Sequence, residues 1–461
     1  MKNEDTIAAI STPMGQAGIG IIRISGPRSL AIAKRIFKPK RNIQSLESHR
    51  LYLGMILDPD KGEIVDEALL SYMQAPHTYT REDVVEINSH SGYLVLSKIL
   101  EIVLSQGARP ANPGEFTLRA FLNGRIDLTQ AEAVVDLINA RSERGLYLAS
   151  QQLKGRFKEE IGDLKDRIGD ILAQLEVAID FPDEDDAIIS RHALSEQMEK
   201  DIIPSIEDLI RMHRQKRIWI EGISTIIVGR ANVGKSSLLN RLIDEERAIV
   251  TPIPGTTRDI IESSILINGI PLRLMDTAGL RDVRDEVERI GISLTTRKLK
   301  EADLVLMVID QNRPISREDL DIIETCKEKP SILVLNKIDL PSALKQEDMD
   351  RLNSYNLPMV YVSALTGEGL ENLRKSIFDL VIKGEADLTQ SYIAPNIRHK
   401  QVLQEALASL KNALSLLKGS GPFDIIAFEV RSALNALGQI TGEVTTEDIL
   451  NRIFSQFCLG K

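Results

Sequence analysis

The sequence predicts a multidomain α/β protein: an N-terminal α+β unit, a helical unit, and an α/β domain built on a phosphate loop and inserted between two halves of the helical unit. Three patterns predict it. Residues 229–236 read G-R-A-N-V-G-K-S, the G-x-x-x-x-G-K-[ST] spacing of a phosphate loop, between an apolar run at 223–228 and a helical run from Ser237 to Leu242. Apolar stripes at helical spacing lie on both sides of that stretch. The first 118 residues instead mix short strand-like runs with one or two helices.

The loop's composition has a chemical reason. Gly229 and Gly234 let the backbone turn its N–H groups towards an anion, and the helix that follows adds the positive end of its dipole. Lys235 can reach β- and γ-phosphates, and the Ser236 hydroxyl can ligand Mg²⁺. Three more motifs follow in order, each after an apolar run. Asp276, Thr277, Ala278 and Gly279 fit the D-x-x-G that holds Mg²⁺ through water and senses the γ-phosphate. Asn336, Lys337 and Asp339 come next; the Asp339 carboxylate can accept from guanine N1–H and N2–H₂, donors that adenine lacks. Ser363, Ala364 and Leu365 fit the loop that approaches guanine O6 through backbone N–H. Together the four motifs make GTP, rather than ATP, the expected ligand.

At 461 residues, 43% apolar and 27% charged, the chain is expected to hold two to four globular domains. Aromatic content of 4% offers little for base stacking, and a net charge of −10 argues against strong autonomous binding to nucleic acid. Cys326 and Cys458 make neither a disulfide framework nor a zinc site. With no signal-peptide pattern and no apolar run near 18 residues, the expected location is cytoplasmic.

In chain order, residues 1–118 read as a small α+β domain with strands at 7–10, 20–26 and 83–87, a hairpin of 51–56 with 64–73, and helices at 28–37 and 93–104. Arg23 and Glu86 interrupt apolar strands and read as outward-facing residues, and His90 reads as a turn residue. Residues 119–220 read as the first part of a helical domain. Leu128–Ile138 is amphipathic, and Leu153, Phe157, Ile161, Leu164, Ile168, Ile171, Leu175 and Ile179 mark one long helix from Leu146 onward. An acidic turn at 180–186 ends it, and a second helix from Leu194 to Trp219 is bent or broken at Pro204. The phosphate-loop domain takes 221–383. Residues 384–461 return to helix, with a stripe from Leu403 to Leu417, a further helix at 424–437 and a tail from Asn451. The stripes on either side of the insertion either cover each other or form a dimer interface.

Leu280 follows the D-x-x-G motif where a Ras-like enzyme has its water-positioning glutamine. Two readings follow: a weak hydrolase that only switches, or an enzyme that orients water by other means. Acidic residues at 285–288 lie downstream, where a solvated helix face is the simplest reading.

Taken with the loop asparagine Asn232, the segments A-I-V-T-P-I-P-G-T-T-R-D (248–259), D-T-A-G-L-R (276–281) and E-V-E-R-I-G (286–291), and the ending F-C-L-G-K, resemble the tRNA modification GTPase MnmE (TrmE) family. N-terminal segments around Gly18–Arg23, Glu86–His90, Arg109–Phe116 and Arg119–Leu128 fit it too, so the resemblance spans the whole chain.

The resemblance implies a Ras-like GTPase domain whose GTP contacts are Asn232, Val233, Gly234, Lys235, Ser236 and Ser237, then Thr251, Pro252, Ile253, Pro254, Gly255, Thr256 and Thr257, then the three later motifs. Lys235 and Glu288 would be catalytic, Glu288 orienting the attacking water; Ser236 and Thr257 would hold Mg²⁺; Asn232, Thr251, Ile253 and Thr256 would hold K⁺. Potassium would stand where an arginine finger stands, a charge worth roughly 10³–10⁵ in rate in the Ras-like case. The N-terminal domain would bind 5-formyl- or methylene-tetrahydrofolate through Arg23, Glu86, Arg125 and Lys461, and would form a homodimer. Arg125 stands where some relatives have lysine, and Cys458 is left between thiol chemistry and packing.

The family's partners are the flavoprotein MnmG and tRNA, and its product carries an aminomethyl or carboxymethylaminomethyl group at C5 of the wobble uridine. Two other functions compete: a ribosome-assembly GTPase switch, for which the basic RNA-binding appendage is missing, and a stand-alone folate-dependent transferase with a regulatory GTPase insert.

Overall fold

The computed structural model describes residues 5–13, 15, 17–180, 190–245, 263–275, 299, 301–382, 392–455, 457, 458 and 460. Its N-terminal sheet has seven strands: β1 (Ile7–Ile10), β2 (Ala17–Ser25), β3 (Phe37–Pro39), β4 (Arg50–Leu57), β5 (Ile64–Met73), β6 (Val84–Ser91) and β7 (Arg109–Pro110), in the order β3-β4-β5-β6-β2-β1-β7. Neighbours run antiparallel except β1 and β7. Helices α1 (Ser29–Ile36) and α2 (Tyr93–Ser105) cover one face, where alternate residues Ile22, Ile24, Leu70 and Ile87 meet Ile32, Leu96 and Ile99 in one core. Arg23 and Glu86 therefore point to the opposite face, where they are register partners across the β2–β6 pair. His90 is not in a turn: β6 runs on to Ser91, and both the His90 backbone N–H and Nδ1 lie 2.8 Å from the Asp66 carboxylate.

Helix α3 (Glu115–Leu122) leads to α4 (Leu128–Asn139), which starts on a capping box made by Asp127 and Gln130. The long stripe from Leu146 belongs to two helices, not one: α5 (Glu143–Leu153) and α6 (Arg156–Asp180). Gly155, at φ +92°, turns the chain between them. The next helical stretch is continuous rather than broken at Pro204. Helix α7 (Arg191–Gln197) passes through a π-helical turn at 198–202 into α8 (Ile203–Gln215), whose Pro204 sits in the first turn, and a second π-helical turn at 216–221 delivers the chain to the inserted domain.

Among the described residues that domain holds a six-stranded sheet of β8 (Ile223–Val228), β9 (Ser263–Ile267), β10 (Ile270–Leu274), β11 (Leu304–Asp310), β12 (Ser331–Asn336) and β13 (Met359–Val362), in the order β13-β12-β11-β8-β10-β9. It is parallel apart from the β9–β10 hairpin. Helices α9 (Lys235–Glu245), α10 (Arg317–Cys326), α11 (Gln346–Ser354) and α12 (Leu370–Ile382) belong to it, and the buried strands β11 and β12 are continuous apolar runs, as expected of a sheet covered on both faces.

The chain returns through α13 (Ile397–Lys418), α14 (Phe423–Thr441) and α15 (Glu447–Phe454). Leu164, Ile168 and Leu175 of α6, Ile206 of α8, Leu403 and Leu410 of α13 and Val430 and Leu437 of α14 share one buried core. The stripes before and after the insertion thus cover each other within one chain, and the phosphate-loop domain is an insertion in a helical domain. Helix α4 holds both crossings. Its Asp136 pairs with Lys216 on the way in (2.7 Å), and its Glu132 pairs with Arg398 (2.9 Å) and His399 (2.6 Å) on the way out. His213 donates from Nδ1 to the Pro395 carbonyl at 2.8 Å, joining the two crossings directly. Among the described residues no helix is long and apolar enough to cross a membrane.

Candidate functional site

The phosphate loop lies at the carboxyl end of β8, between parallel neighbours, which is where ligands bind in open α/β sheets. Its two glycines are dictated by space as well as by φ. A Cβ on Gly229 (φ +148°) would stand 2.3 Å from the Val308 carbonyl oxygen, and one on Gly234 (φ +100°) 2.2 Å from Asn336 Nδ2. Asn232 adopts φ +63°, a left-handed conformation asparagine tolerates. Lys235 is the first residue of α9. Its ammonium donates to the carbonyls of Gly229 (2.8 Å) and Arg230 (2.6 Å), and burial pushes its pKa down. Ser236 and Ser237 follow in the helix's first turn.

Asn336, at the end of β12, ties the loops together. It is 1% exposed; Nδ2 donates to the Val233 carbonyl at 2.8 Å and Oδ1 accepts from the Ala364 N–H at 2.9 Å. Lys337 (φ +71°) donates to the Asn232 carbonyl at 2.9 Å and to Asp310 Oδ2 at 2.6 Å. The Asp339 carboxylate is exposed, and its Oδ1 accepts from the buried Ser363 hydroxyl at 2.6 Å. That hydroxyl also accepts the Thr366 N–H, which shapes the loop of Ser363, Ala364 and the exposed Leu365. The structure so brings together the loop and the two later motifs. Thr251, Pro252, Ile253, Pro254, Gly255, Thr256, Thr257, Asp276, Thr277, Ala278, Gly279 and Glu288 lie outside the described residues.

Sequence reasoning missed Asp310. It is buried at the end of β11 and forms the second anchor of Lys337. An acidic residue closing an apolar strand beside the N-K-x-D strand was the available signal.

A second cluster forms on the face of the N-terminal sheet opposite α1 and α2, beside the buried Ile7, Ala9 and Phe116. Arg23 Nε is 2.8 Å from Glu86 Oε1, and its guanidinium lies over the rings of Tyr79 and Phe116 at 5.8 and 5.6 Å. Arg125 stands over the same Tyr79 ring at 4.8 Å and donates to its carbonyl at 3.1 Å. The C-terminal tail arrives here. The Gly460 carbonyl accepts from Arg23 (3.2 Å) and the Ser11 hydroxyl (3.1 Å), while Phe457 packs against Gly114. Gly460 has φ +86°, and a Cβ there would stand 2.5 Å from the Ile10 carbonyl oxygen. Arg23, Glu86 and Arg125 are brought together; Lys461 lies outside the described residues. Tyr79, Phe116 and Ser11 were not legible as members of this cluster. Cys458 is exposed.

Two family models match: the GTP-binding protein TrmE N-terminus over residues 6–125 and the MnmE helical domain over residues 128–458. Relatives match along the full chain. The tRNA modification GTPase MnmE of Acetivibrio thermocellus is 46% identical over 461 residues, covering 100% of both chains. Proteins of the same name from Thermoanaerobacter sp. and Syntrophobacter fumaroxidans are 48% and 45% identical, covering 99% of this chain and 99% and 98% of theirs. On the strength of matches that run from end to end, this chain belongs to the tRNA modification GTPase MnmE family.

Proposed function

We propose that this chain is a GTP hydrolase that modifies tRNA: acting with a flavoprotein partner of the MnmG type, it adds an aminomethyl or carboxymethylaminomethyl group at C5 of the wobble uridine. The observation that carries the nucleotide half is the bridge from Val233 through Asn336 to Ala364, with Asp339 held by Ser363 beside it. This arrangement presents a carboxylate acceptor and a backbone loop to a base whose phosphates reach the loop at 229–236. A buried or fixed acceptor of this kind discriminates against a base that lacks the donors.

Lys235 leaves the Gly229 and Arg230 carbonyls to meet the β- and γ-phosphates. The described oxygen donors fit hard cations: Ser236 offers a hydroxyl for Mg²⁺ and Asn232 a side-chain carbonyl for K⁺. In this reading Thr257 completes the first, and Thr251, Ile253 and Thr256 the second. The two cations supply positive charge against the charge that develops on the transferred phosphoryl group. Glu288 orients the attacking water.

The cluster of Arg23, Glu86, Arg125 and Tyr79 fits a tetrahydrofolate: an aromatic face for the ring system, a carboxylate for ring N–H groups and guanidinium groups for carboxylates. In this reading Lys461 completes that pocket, the protein is a cytoplasmic homodimer, and the one-carbon unit of the folate enters the new group on uridine.

The test is steady-state hydrolysis of GTP and ATP by the full chain in KCl and in NaCl at equal ionic strength. The proposal expects GTP to be hydrolysed, ATP not, and KCl to accelerate the reaction many-fold. Equal rates in the two salts would remove the potassium site, and hydrolysis of ATP would remove the guanine reading.

A further inference from the structure

Arg230, the second residue of the phosphate loop, has a side-chain partner outside every motif described above. Its Nε lies 3.0 Å from Oδ1 of Asp319 in the first turn of α10, the two side chains being 22% and 3% exposed. The link is an ion pair: the Nε–H is not aimed along it as a hydrogen bond. The other oxygen of Asp319 is already committed. Oδ2 accepts from the Ser316 backbone N–H at 3.0 Å and from the Ser316 hydroxyl at 2.8 Å, closing the capping box that starts α10. Asp319 is therefore locked to its helix end, and Arg230 is attached to a rigid point.

Two consequences follow for the loop. The Arg230 carbonyl is one of the two that hold the Lys235 ammonium, so fixing this residue also fixes the resting place of the lysine. The first turn of α10 also carries Glu318, whose charge is felt at Lys235. An acidic helix start beside a phosphate cradle opposes the binding of a polyanion, and the more so where the carboxylate is buried and poorly screened. Arg230 cancels the buried one of the two.

We propose that Arg230 and Asp319 are positioning residues of the nucleotide site: the ion pair holds the loop in the shape that receives the phosphates and neutralises a buried carboxylate next to them. The inference rests on the reading of 229–236 as the phosphate site of a guanine nucleotide. It adds that α10, through Asp319, has a direct hold on that loop.

The experiment measures equilibrium affinity and dissociation rate of a fluorescent GDP analogue on the full chain. It compares the wild type with Arg230→Ala, Arg230→Lys, Asp319→Asn and the double variant Arg230→Ala/Asp319→Asn, each with its melting temperature. Loss of one partner of a buried charge pair leaves the other uncompensated. Arg230→Ala should weaken GDP binding about tenfold or more. Adding Asp319→Asn should restore only the part of that loss owed to the opposing carboxylate, because the hold on the loop is gone in both, and Arg230→Lys should retain most of the affinity. A merely structural role would lower the melting temperature and leave affinity unchanged among the folded molecules. Affinity of Arg230→Ala within twofold of wild type, or a double variant that shows the sum of the single losses, would overturn the proposal. If Arg230→Ala does not fold, Arg230→Gln takes its place in the same cycle. Failure of the wild type itself to bind GDP would instead strike the underlying nucleotide reading.

Discussion

Glu132 and His399 meet at 2.6 Å in the junction between the helical domain and the inserted domain, the histidine wholly enclosed. The backbone N–H of Asn396 donates to His399 Nδ1 at 3.1 Å, so the ring's proton belongs on Nε2, facing the carboxylate. Burial pushes the His399 pKa down to about 4, against the opposing pull of Glu132. The charges of His399 and Arg398 hold Glu132 below the usual carboxylate range despite its burial.

The pH dependence follows from those directions. The unfolded histidine takes up a proton near pH 6.5, whereas the folded one does so only near pH 4. Stability is then full above pH 6.5 and falls as the pH drops towards 4, with a slope of at most about 1.4 kcal/mol per pH unit from this residue. Glu132 adds loss in the same direction below its unfolded value of 4.5. Urea titrations between pH 7 and 4.5 should show this fall, and His399→Gln should flatten it over the histidine's window. An unchanged slope in the variant would detach the effect from this pair.

Lys216 and Asp136 form the second tie, 2.7 Å apart with side chains 8% and 10% exposed. Breaking one partner strands the other, so Lys216→Met should destabilise the protein by about 3–5 kcal/mol. Lys216→Met/Asp136→Leu should recover much of that, because replacing both buried charges by packed apolar groups removes the stranded carboxylate. Denaturant midpoints of the single and double variants check this directly.

Base selection should follow the chemistry of Asp339. Asparagine keeps an acceptor for N1–H but presents an amide donor where the carboxylate accepted from the guanine amino group. Asp339→Asn should therefore lose GTP affinity by about 10²-fold and bind xanthosine triphosphate, which carries a C2 carbonyl, in its place. Competition binding with both nucleotides reads the exchange; an unaltered preference for GTP would remove Asp339 from the base site.

The docked tail gives a test of the second cluster. Gly460→Ala meets both a φ of +86° and a contact of 2.5 Å with the Ile10 carbonyl, so the tail should leave its seat while the domains stay folded. Binding of 5-formyltetrahydrofolate, read by calorimetry, should weaken roughly tenfold with little change in melting temperature. Full retention of binding would separate the tail from the proposed folate site.

Legibility in the sequence followed range. The phosphate loop and its flanking strand and helix are local, and their geometry follows the motif. The insertion was legible because stripes on α6 and α13 needed cover and each supplies it for the other. The break at Gly155 was not, since Leu153 and Phe157 keep a four-residue spacing across it and the periodicity runs on unbroken. Strand β11 is buried throughout, so it carries no alternation and its terminal Asp310 drew no notice. Helix α15 carries a short stripe of Ile449, Leu450, Ile453 and Phe454, and a tail taken to begin at Asn451 cuts across it. Tyr79 and Ser11 join Arg23 only because the β2–β6 register and the returning C-terminus bring distant segments to one face.

The most direct measurement is mass spectrometry of tRNA nucleosides from cells that lack this protein, complemented with the wild type or with Lys235→Ala. C5-aminomethyl-type wobble uridines should disappear, return with the wild type and fail to return with Lys235→Ala. Nucleosides unchanged by loss of the protein would contradict the tRNA-modification reading and put the ribosome-assembly switch in its place.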